Sequence, residues 1–307
     1  MGRVTMHQDS SVSSVSKYNV LGSSEQKAIW EALDTRQEHL QVNAVAGSGK
    51  TWTIVEWAKQ QHSGRVALVA FNKHIADELK LRLGSNRNVE PMTYHSLGFR
   101  QIKSAYGKVD VDNYKVDNIL EPIVLDGFKA DDWQMKPVKV KIKRLVGLAK
   151  QYDVRERADL EHLVDHHDIE LNGHEELVYG LVPGILDRCM QDTRTVDFDD
   201  MVWLPKALGL STRQYDTMCV DELQDTNLVQ QFLALNSADR IVGIGDKNQS
   251  IYGFRGADVK GMDRIKQELS NTSRGCVELP LTLTRRCPKL HVELARRIVP
   301  HIRALDT

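Results

Sequence analysis

The chain has 307 residues, 41% of them hydrophobic and 27% charged, with 41 basic against 42 acidic side chains and a formal net charge of −1. This composition excludes a disordered, collagenous or fibrous chain, allows roughly two domains, and leaves any polyanionic partner to a local basic patch rather than to the field of the whole molecule. No apolar run approaches the ~18 to 20 residues that cross a bilayer, and the polar start has no apolar core for a secretion signal, so an intracellular protein with no membrane partner is expected.

Residues 1–21, with Ser10, Ser11, Ser13, Ser14 and Ser16, have little to bury and are expected to form a flexible tail. Strand-like runs follow at Leu40 to Val45, Arg65 to Ala70 and Asn88 to Thr93, alternating with helical runs at Ser24 to Leu33, Lys50 to Gln60 and His74 to Leu83. The last of these places Ile75, Leu79 and Leu83 at i, i+4 and i+8. The segment 102–190 is helix-rich and loop-rich with the breaker pair Pro183-Gly184, and reads as an insertion. Strand-like runs return at Asp216 to Asp221, Arg240 to Gly245 and Cys276 to Leu281, with Leu228, Phe232 and Leu235 on one face of a helix between the first two. A last helix opens at Pro288 and carries Leu290, Leu294 and Ile298 on one side. Alternation of this kind predicts an α/β fold with a parallel sheet covered on both faces, begun before residue 100 and completed after residue 210. Cys189, Cys219, Cys276 and Cys287 lack the C-x-x-C spacing of a zinc site and read as reduced thiols.

The first strand runs into Ala44-Val45-Ala46-Gly47-Ser48-Gly49-Lys50-Thr51 and then a helix, the context of a phosphate-binding (Walker A) loop. Small residues let backbone N–H groups curl round a β-phosphate, Lys50 reaches the β- and γ-phosphates, and the Thr51 hydroxyl can ligate Mg²⁺. The first position is Ala44 rather than glycine. Such a loop needs an acidic partner on a neighbouring strand, and Asp221-Glu222-Leu223-Gln224-Asp225 supplies it at a strand's carboxyl end. Asp221 would hold Mg²⁺ and Glu222 would act as general base for an attacking water. Asp225 is equally well placed to cap the next helix.

Lys50-Thr51, Asp221 to Asp225 and the long run Gly245 to Ala257 together resemble the superfamily 1 DNA helicases of the UvrD, PcrA and Rep type. Ala70-Phe71-Asn72-Lys73 and Thr93-Tyr94-His95-Ser96-Leu97 are closest in wording to the F-box DNA helicase branch and its bacterial and phage relatives. The resemblance implies a RecA-like P-loop NTPase motor over 22–101 and 191–280, a helical insertion over 102–190, and at 281–307 the truncated start of a second motor domain. It implies that Gln26 reads the adenine of ATP, although Ser23-x-x-Gln26 is also a capping box. Gln249 would sense the γ-phosphate, and Arg286 would be an arginine finger. Arg285 stands where the family commonly has an aromatic residue to stack on adenine, which a planar guanidinium can also do.

By the same resemblance Phe71, Asn72, Lys73, Thr93, His95, Tyr252 and Phe254 would line the path of a single DNA strand, or of a single-to-double-strand junction. Taken without the family, aromatic residues at strand ends are more often core. The acid-free run from Trp133 to Lys150, with Lys136, Lys139, Lys141, Lys143, Arg144 and Lys150, is either a backbone-binding patch or a solvated face. The carboxylates of Asp197-Phe198-Asp199-Asp200 read as structural, and His162 and His166, pointing away from Leu160, Leu163 and Val164, lack a third metal ligand. The expected function is that of an ATP- and Mg²⁺-dependent helicase or translocase, 3′-to-5′ by family, acting on single-stranded DNA and partnered by a missing C-terminal motor domain. The alternative is an ATP-gated DNA- or partner-binding module that does not unwind. An unrelated P-loop kinase would leave the 245–257 run without a purpose.

Overall fold

A computed structural model describes residue 18 and residues 20–125, 128–129, 133, 135–210, 213–249 and 261–305. The first half of the sheet alternates with helices: α1 (Ser24–Thr35), β1 (His39–Ala44), α2 (Lys50–Lys59), β2 (Val66–Ala70), α3 (Lys73–Leu83), β3 (Val89–Thr93) and α4 (Tyr94–Tyr106). Then come β4 (Asp110–Val111), α5 (Lys115–Leu120), β5 (Val124–Leu125), β6 (Phe128–Lys129), α6 (Lys136–Tyr152), α7 (Arg157–His166), α8 (Glu175–Gln191) and β7 (Thr195–Val196). The remainder is α9 (Asp200–Ala207), β8 (Tyr215–Val220), α10 (Leu228–Ser237), β9 (Ala238–Gly245), α11 (Gly261–Ser270), β10 (Cys276–Leu281), β11 (Leu283–Thr284), α12 (Lys289–Ala295) and β12 (Arg303–Ala304). Every strand and helix expected from the sequence around this sheet is present within a few residues.

Six strands pair in parallel in the order β10-β1-β9-β8-β2-β3. A parallel sheet has to be covered on both faces, and each strand feeds two cores by alternation. Val66, Leu68 and Ala70 of β2 face α1, α2 and α3, whereas Ala67 and Val69 face α4, α9 and α10. The helices begin where polar side chains satisfy their first N–H groups. Ser23 with Gln26, Thr93 with Ser96 and Asn227 with Gln230 form three capping boxes, and Asn72 caps α3. At Gly98, α4 meets α9 so closely that a Cβ would lie 1.9 Å from the Met201 carbonyl oxygen, so no larger residue fits there.

The helical segment from α5 to α8 is tied to α9 by buried ions rather than by apolar contact alone. Lys115 on α5 and Lys150 on α6 reach Asp200 at 2.7 and 2.8 Å, and Lys150 also reaches Asp197 at 2.5 Å. Removing one partner of such a set would leave an uncompensated buried charge.

Three expectations change. The basic run divides: Lys139 and Lys143 pair with Asp117 and Lys150 is buried in the set just described, while Lys136 and Arg144 stay exposed. On α10 the fully buried side chains include Val229, Leu233 and Ala234, while Leu228, Phe232 and Leu235 are only partly covered. Helix α12 buries Val292, leaving Leu290, Leu294 and Ile298 exposed. Of the expected tail, residues 1–17 and 19 lie outside the described residues, but Tyr18 stacks on Trp30 at 4.6 Å and donates to Asp34 at 2.7 Å. Among the described residues no helix is long and apolar enough to cross a membrane.

Candidate functional site

Because all six strands are parallel, their carboxyl ends share one edge, the edge at which open α/β sheets bind ligands. Residues 45–49 leave β1 there and turn into α2. Gly47 and Gly49 take φ of 70° and 88°, and a Cβ at Gly47 would sit 2.5 Å from that of Arg286. The Ser48 hydroxyl donates to the Val45 carbonyl (2.8 Å) and the Thr53 hydroxyl to the Gly49 carbonyl (2.8 Å), which fixes the loop on the first turn of α2. Ala44 is a buried strand residue paired with Leu281, so the first motif position carries only the sheet. Ala46, half-buried, begins the turn itself.

The two acids lie across from this loop at the end of β8. The Thr51 hydroxyl donates to Asp221 Oδ2 at 2.5 Å, and Lys50 Nζ lies 3.2 Å from Glu222 Oε2. Burial and the neighbouring Glu222 carboxylate raise the Asp221 pKa to about 6, against the opposing pull of Thr51 and Lys50. Thr51 and Asp221 together offer the all-oxygen donor set that Mg²⁺ prefers, which fits the expected ion. Glu222 has φ 51° and ψ 48°, a left-handed conformation that costs a side-chain-bearing residue free energy and is uncommon outside sites. Its N–H donates to Asp221 Oδ1 at 3.0 Å, so the strained backbone holds the two carboxylates at a fixed offset.

The C-terminal segment forms the far wall. Arg285 N donates to the Gly47 carbonyl (2.9 Å), and Glu25 accepts from Thr282 N (2.8 Å) and from the Thr282 hydroxyl (2.7 Å). The Arg286 backbone is thereby set against the phosphate loop at Gly47. Gln26 is buried, with its Oε1 accepting from Ser23 N (2.9 Å) and Arg285 Nη2 (3.0 Å) and its Nε2 donating to Thr53 Oγ1 (3.0 Å). Capping and site geometry therefore coexist in one side chain. The Arg285 guanidinium also lies 5.9 Å from the centre of the Trp52 ring.

Gln224 lies between Glu222 and Asp225 in the acidic run. Its Nε2 donates to Glu222 Oε2 (2.9 Å) and to Asp225 Oδ2 (3.1 Å), and its Oε1 accepts from Asp246 N (2.9 Å). This amide joins the nucleotide-side acid to the loop after β9, on which Gln249 lies with its N–H bonded to the Asp246 carbonyl (2.9 Å). Asp225 does not cap α10, whose N-cap is Asn227; it lines a groove at the ends of β2 and β3.

That groove has a volume of about 730 Å³, and Phe71, Asn72, Lys73, Thr93 and His95 all line it. The side-chain oxygens of Asn72 and Thr93 cap α3 and α4, accepting from Ile75 N (2.9 Å) and Ser96 N (3.2 Å), so both helix N-termini open on the groove. Burial lowers the His95 pKa to about 4. The ring is therefore neutral at pH 7, an aromatic surface rather than a cation. Phe198 stacks on it at 3.7 Å and is exposed on its other side. Sequence reasoning passed over Phe198 and Trp52; the available signals were a lone aromatic among three acids and an indole directly after the Gly-Lys-Thr of the phosphate loop. Asp197 and Asp200 are structural, as expected, whereas Asp199 lines the groove. Tyr252 and Phe254 lie outside the described residues. His162 and His166 are exposed. The cluster of possible metal ligands found among the described residues, Cys189 with Asp197 and Asp200, already has Lys115 and Lys150 on its carboxylates.

A family model described as the UvrD/REP helicase N-terminal domain matches residues 25–270. The ATP-dependent DNA helicase Rep of Escherichia coli (strain K12) is 26% identical over 256 residues, covering 74% of this chain and 36% of that protein. The ATP-dependent DNA helicase PcrA of Bacillus subtilis (strain 168) is 22% identical over 281 residues, covering 83% of this chain and 37% of that protein. PcrA of Staphylococcus aureus (strain NCTC 8325 / PS 47) is 25% identical over 260 residues, covering 76% and 34%. The chain thus spans about a third of the length of the curated relatives it matches.

Proposed function

We propose, from the premise that the chain belongs to the UvrD/REP helicase family, that it is the ATP-hydrolysing, single-strand-tracking portion of a DNA helicase or translocase working inside the cell. The observation that carries this reading is the pairing of Thr51 with Asp221 and of Lys50 with Glu222 across one cleft, closed by Arg286. Residues 22–101 and 191–280 would form the motor, 102–190 its insertion, and residues from 281 the start of a second motor domain.

In the cycle we infer, ATP phosphates enter the ring of N–H groups at residues 46–51 and draw Lys50 away from Glu222. That exchange leaves the Glu222 carboxylate free to take a proton from the attacking water. Thr51 and Asp221 would hold Mg²⁺, which when bound would offset the charge of the phosphates. Arg286 meets the charge that spreads over the transferred group. Gln249 and the Gln224 amide would carry the state of that group toward Asp225 and the groove. There Phe71, His95 and Phe198 would stack bases, while Lys73 and the N-termini of α3 and α4 meet phosphates; Tyr252 and Phe254 are given a DNA-contacting role by the family resemblance alone. A 3′-to-5′ direction rests on the family alone.

Steady-state ATP hydrolysis by the 307-residue chain, with and without single-stranded DNA and with Lys50→Ala as blank, tests the reading. Hydrolysis that rises with DNA and vanishes in Lys50→Ala supports a motor. ATP and DNA binding without turnover assigns the chain to the second class, an ATP-gated binding module. Hydrolysis unchanged in Lys50→Ala overturns the site.

A further inference from the structure

Helix α7 buries Leu160, Leu163 and Val164 in the core and turns another face to solvent. On that face stand Asp159, His162 and His166, all three exposed. Residues three and four apart are neighbours on a helix, and the two imidazoles lie with ring centres 6.0 Å apart and planes 29° from parallel. Among the described residues neither ring has a hydrogen-bond or ion-pair partner, so their lone pairs are open to a ligand. The next histidine is already engaged: His167 is buried, with its Nε2 3.1 Å from the Tyr152 hydroxyl. Charge around the pair favours a cation. Asp159 precedes His162 by one turn and Asp165 adjoins His166. The cations close by are committed elsewhere, Arg157 to Glu161 and Glu176, and Arg144 to the His167 carbonyl at 2.9 Å.

We propose that His162 and His166 form a surface site for one divalent transition-metal ion of the zinc, copper and nickel class. Two histidines four residues apart on a helix present their rings on one face, the spacing at which a pair of imidazoles shares an ion. With a metal–nitrogen distance of about 2.0 to 2.1 Å, two imidazoles on a tetrahedral ion have their ring centres about 5 Å apart. The 6.0 Å between these rings therefore has to close by about 1 Å, which rotation of two exposed side chains supplies without moving backbone. Imidazole nitrogen suits zinc, copper and nickel, whereas Mg²⁺ takes oxygen donors, so this site and the Thr51–Asp221 pair select different ions. No third protein ligand is needed for an exchangeable ion, because water fills the open positions; a closed structural site would need four. The ion also acts on the helix. His166 is the last residue of α7, directly before the C-cap His167, and an ion shared with His162 ties that end, which would otherwise fray, to the turn before it.

The test titrates Zn²⁺ into the metal-free 307-residue chain by calorimetry, with magnesium in excess to fill oxygen-donor sites. Losing even an outer-shell partner of a metal ligand typically costs about 10- to 100-fold in affinity, so His162→Gln and His166→Gln are each expected to weaken Zn²⁺ binding by at least ~10-fold. His62→Gln, a change at an exposed histidine on another part of the chain, is expected to leave affinity within about 2-fold. With Cu²⁺ as the probe, electron paramagnetic resonance is expected to show coupling to two imidazole nitrogens in the parent and to one in each α7 variant. The substituted rings are exposed, so thermal melts without added metal should coincide, which makes a loss of affinity report ligation rather than unfolding. Parental Zn²⁺ affinity in either α7 variant overturns the proposal, and so does a parent that takes up no Zn²⁺. An equal loss in His62→Gln overturns it as well, since binding would then be scattered over exposed histidines.

Discussion

The cleft at the ends of β1, β8 and β10 and the groove at the ends of β2 and β3 share one sheet edge, yet their polar groups are arranged in opposite ways. In the cleft nearly every charged or polar side chain already has a partner across the gap: Thr51 on Asp221, Lys50 on Glu222, Gln26 on Arg285. In the groove, aromatic faces and helix N-termini are turned toward open space, with His95 and Phe198 stacked on each other as one platform. A ligand entering the cleft has to exchange partners one for one, which favours a small, highly charged guest. A ligand lying in the groove adds contacts without breaking any, which suits a long, repetitive one. The bridge between the two is the single amide of Gln224.

The sharpest way to break this contrast is to disable the cleft and leave the groove alone. Glu222→Gln keeps the size and the left-handed backbone position of the side chain but removes its basicity. Turnover is expected to fall by at least ~100-fold, the usual worth of a general base, while ATP affinity and single-strand affinity stay near those of the parent. The pairing with Lys50 is weakened in the variant, so ATP binding should if anything tighten. Single-turnover hydrolysis alongside equilibrium binding separates these quantities, and hydrolysis at the parental rate would remove Glu222 from the base role.

The converse change acts on the groove. Phe198→Ala removes an exposed ring from a loop rather than from a core, so the fold should persist. Single-strand affinity at fixed salt is expected to drop by about 10-fold, the lower part of the range for one stacked base, with ATP affinity unchanged. Parental single-strand affinity would show that the His95–Phe198 platform contacts no base. This residue also marks the limit of what the sequence conveyed. The phosphate loop, Asp221 and Glu222 could be read because a strand, a turn and a helix put them in place locally, within one or two short runs. The six strands could be read because a doubly covered parallel sheet needs continuous apolar runs. The groove could be read only in part, since its walls come from β2, β3, α6 and the loops before α9 and α10, and their juxtaposition depends on packing such as the α4–α9 contact at Gly98. The basic run on α6 left two readings open for the same reason. Its lysines found Asp117, Asp197 and Asp200, partners 22 to 50 residues away that no local pattern announces.

The smallest expected effect concerns Asp199, which lines the groove together with two other acids, Asp77 and Asp225, that oppose a phosphate guest. Asp199 has its pKa raised to about 6 by burial and by the Asp197 carboxylate, with Lys150 pulling the other way. The folded chain thus holds a proton on Asp199 that the unfolded chain gives up near pH 4. Its contribution to stability is fully present below that pH and is lost as pH rises through 6, because at neutral pH a buried carboxylate must stay ionised. Asp199→Asn removes this dependence. At pH 7.5 the variant is expected to be more stable than the parent by ~1 kcal/mol, about 2 °C in a thermal melt for a chain of this size, and the difference should close at pH 4. The same substitution deletes a negative charge from the groove, so single-stranded DNA should bind it somewhat more tightly at pH 7.5, by about 2-fold. A stability gain that persists unchanged at pH 4 would show that the asparagine acts through packing beside Gly147 and Gln151 rather than through the proton, and tighter DNA binding would then have to be sought elsewhere in the groove.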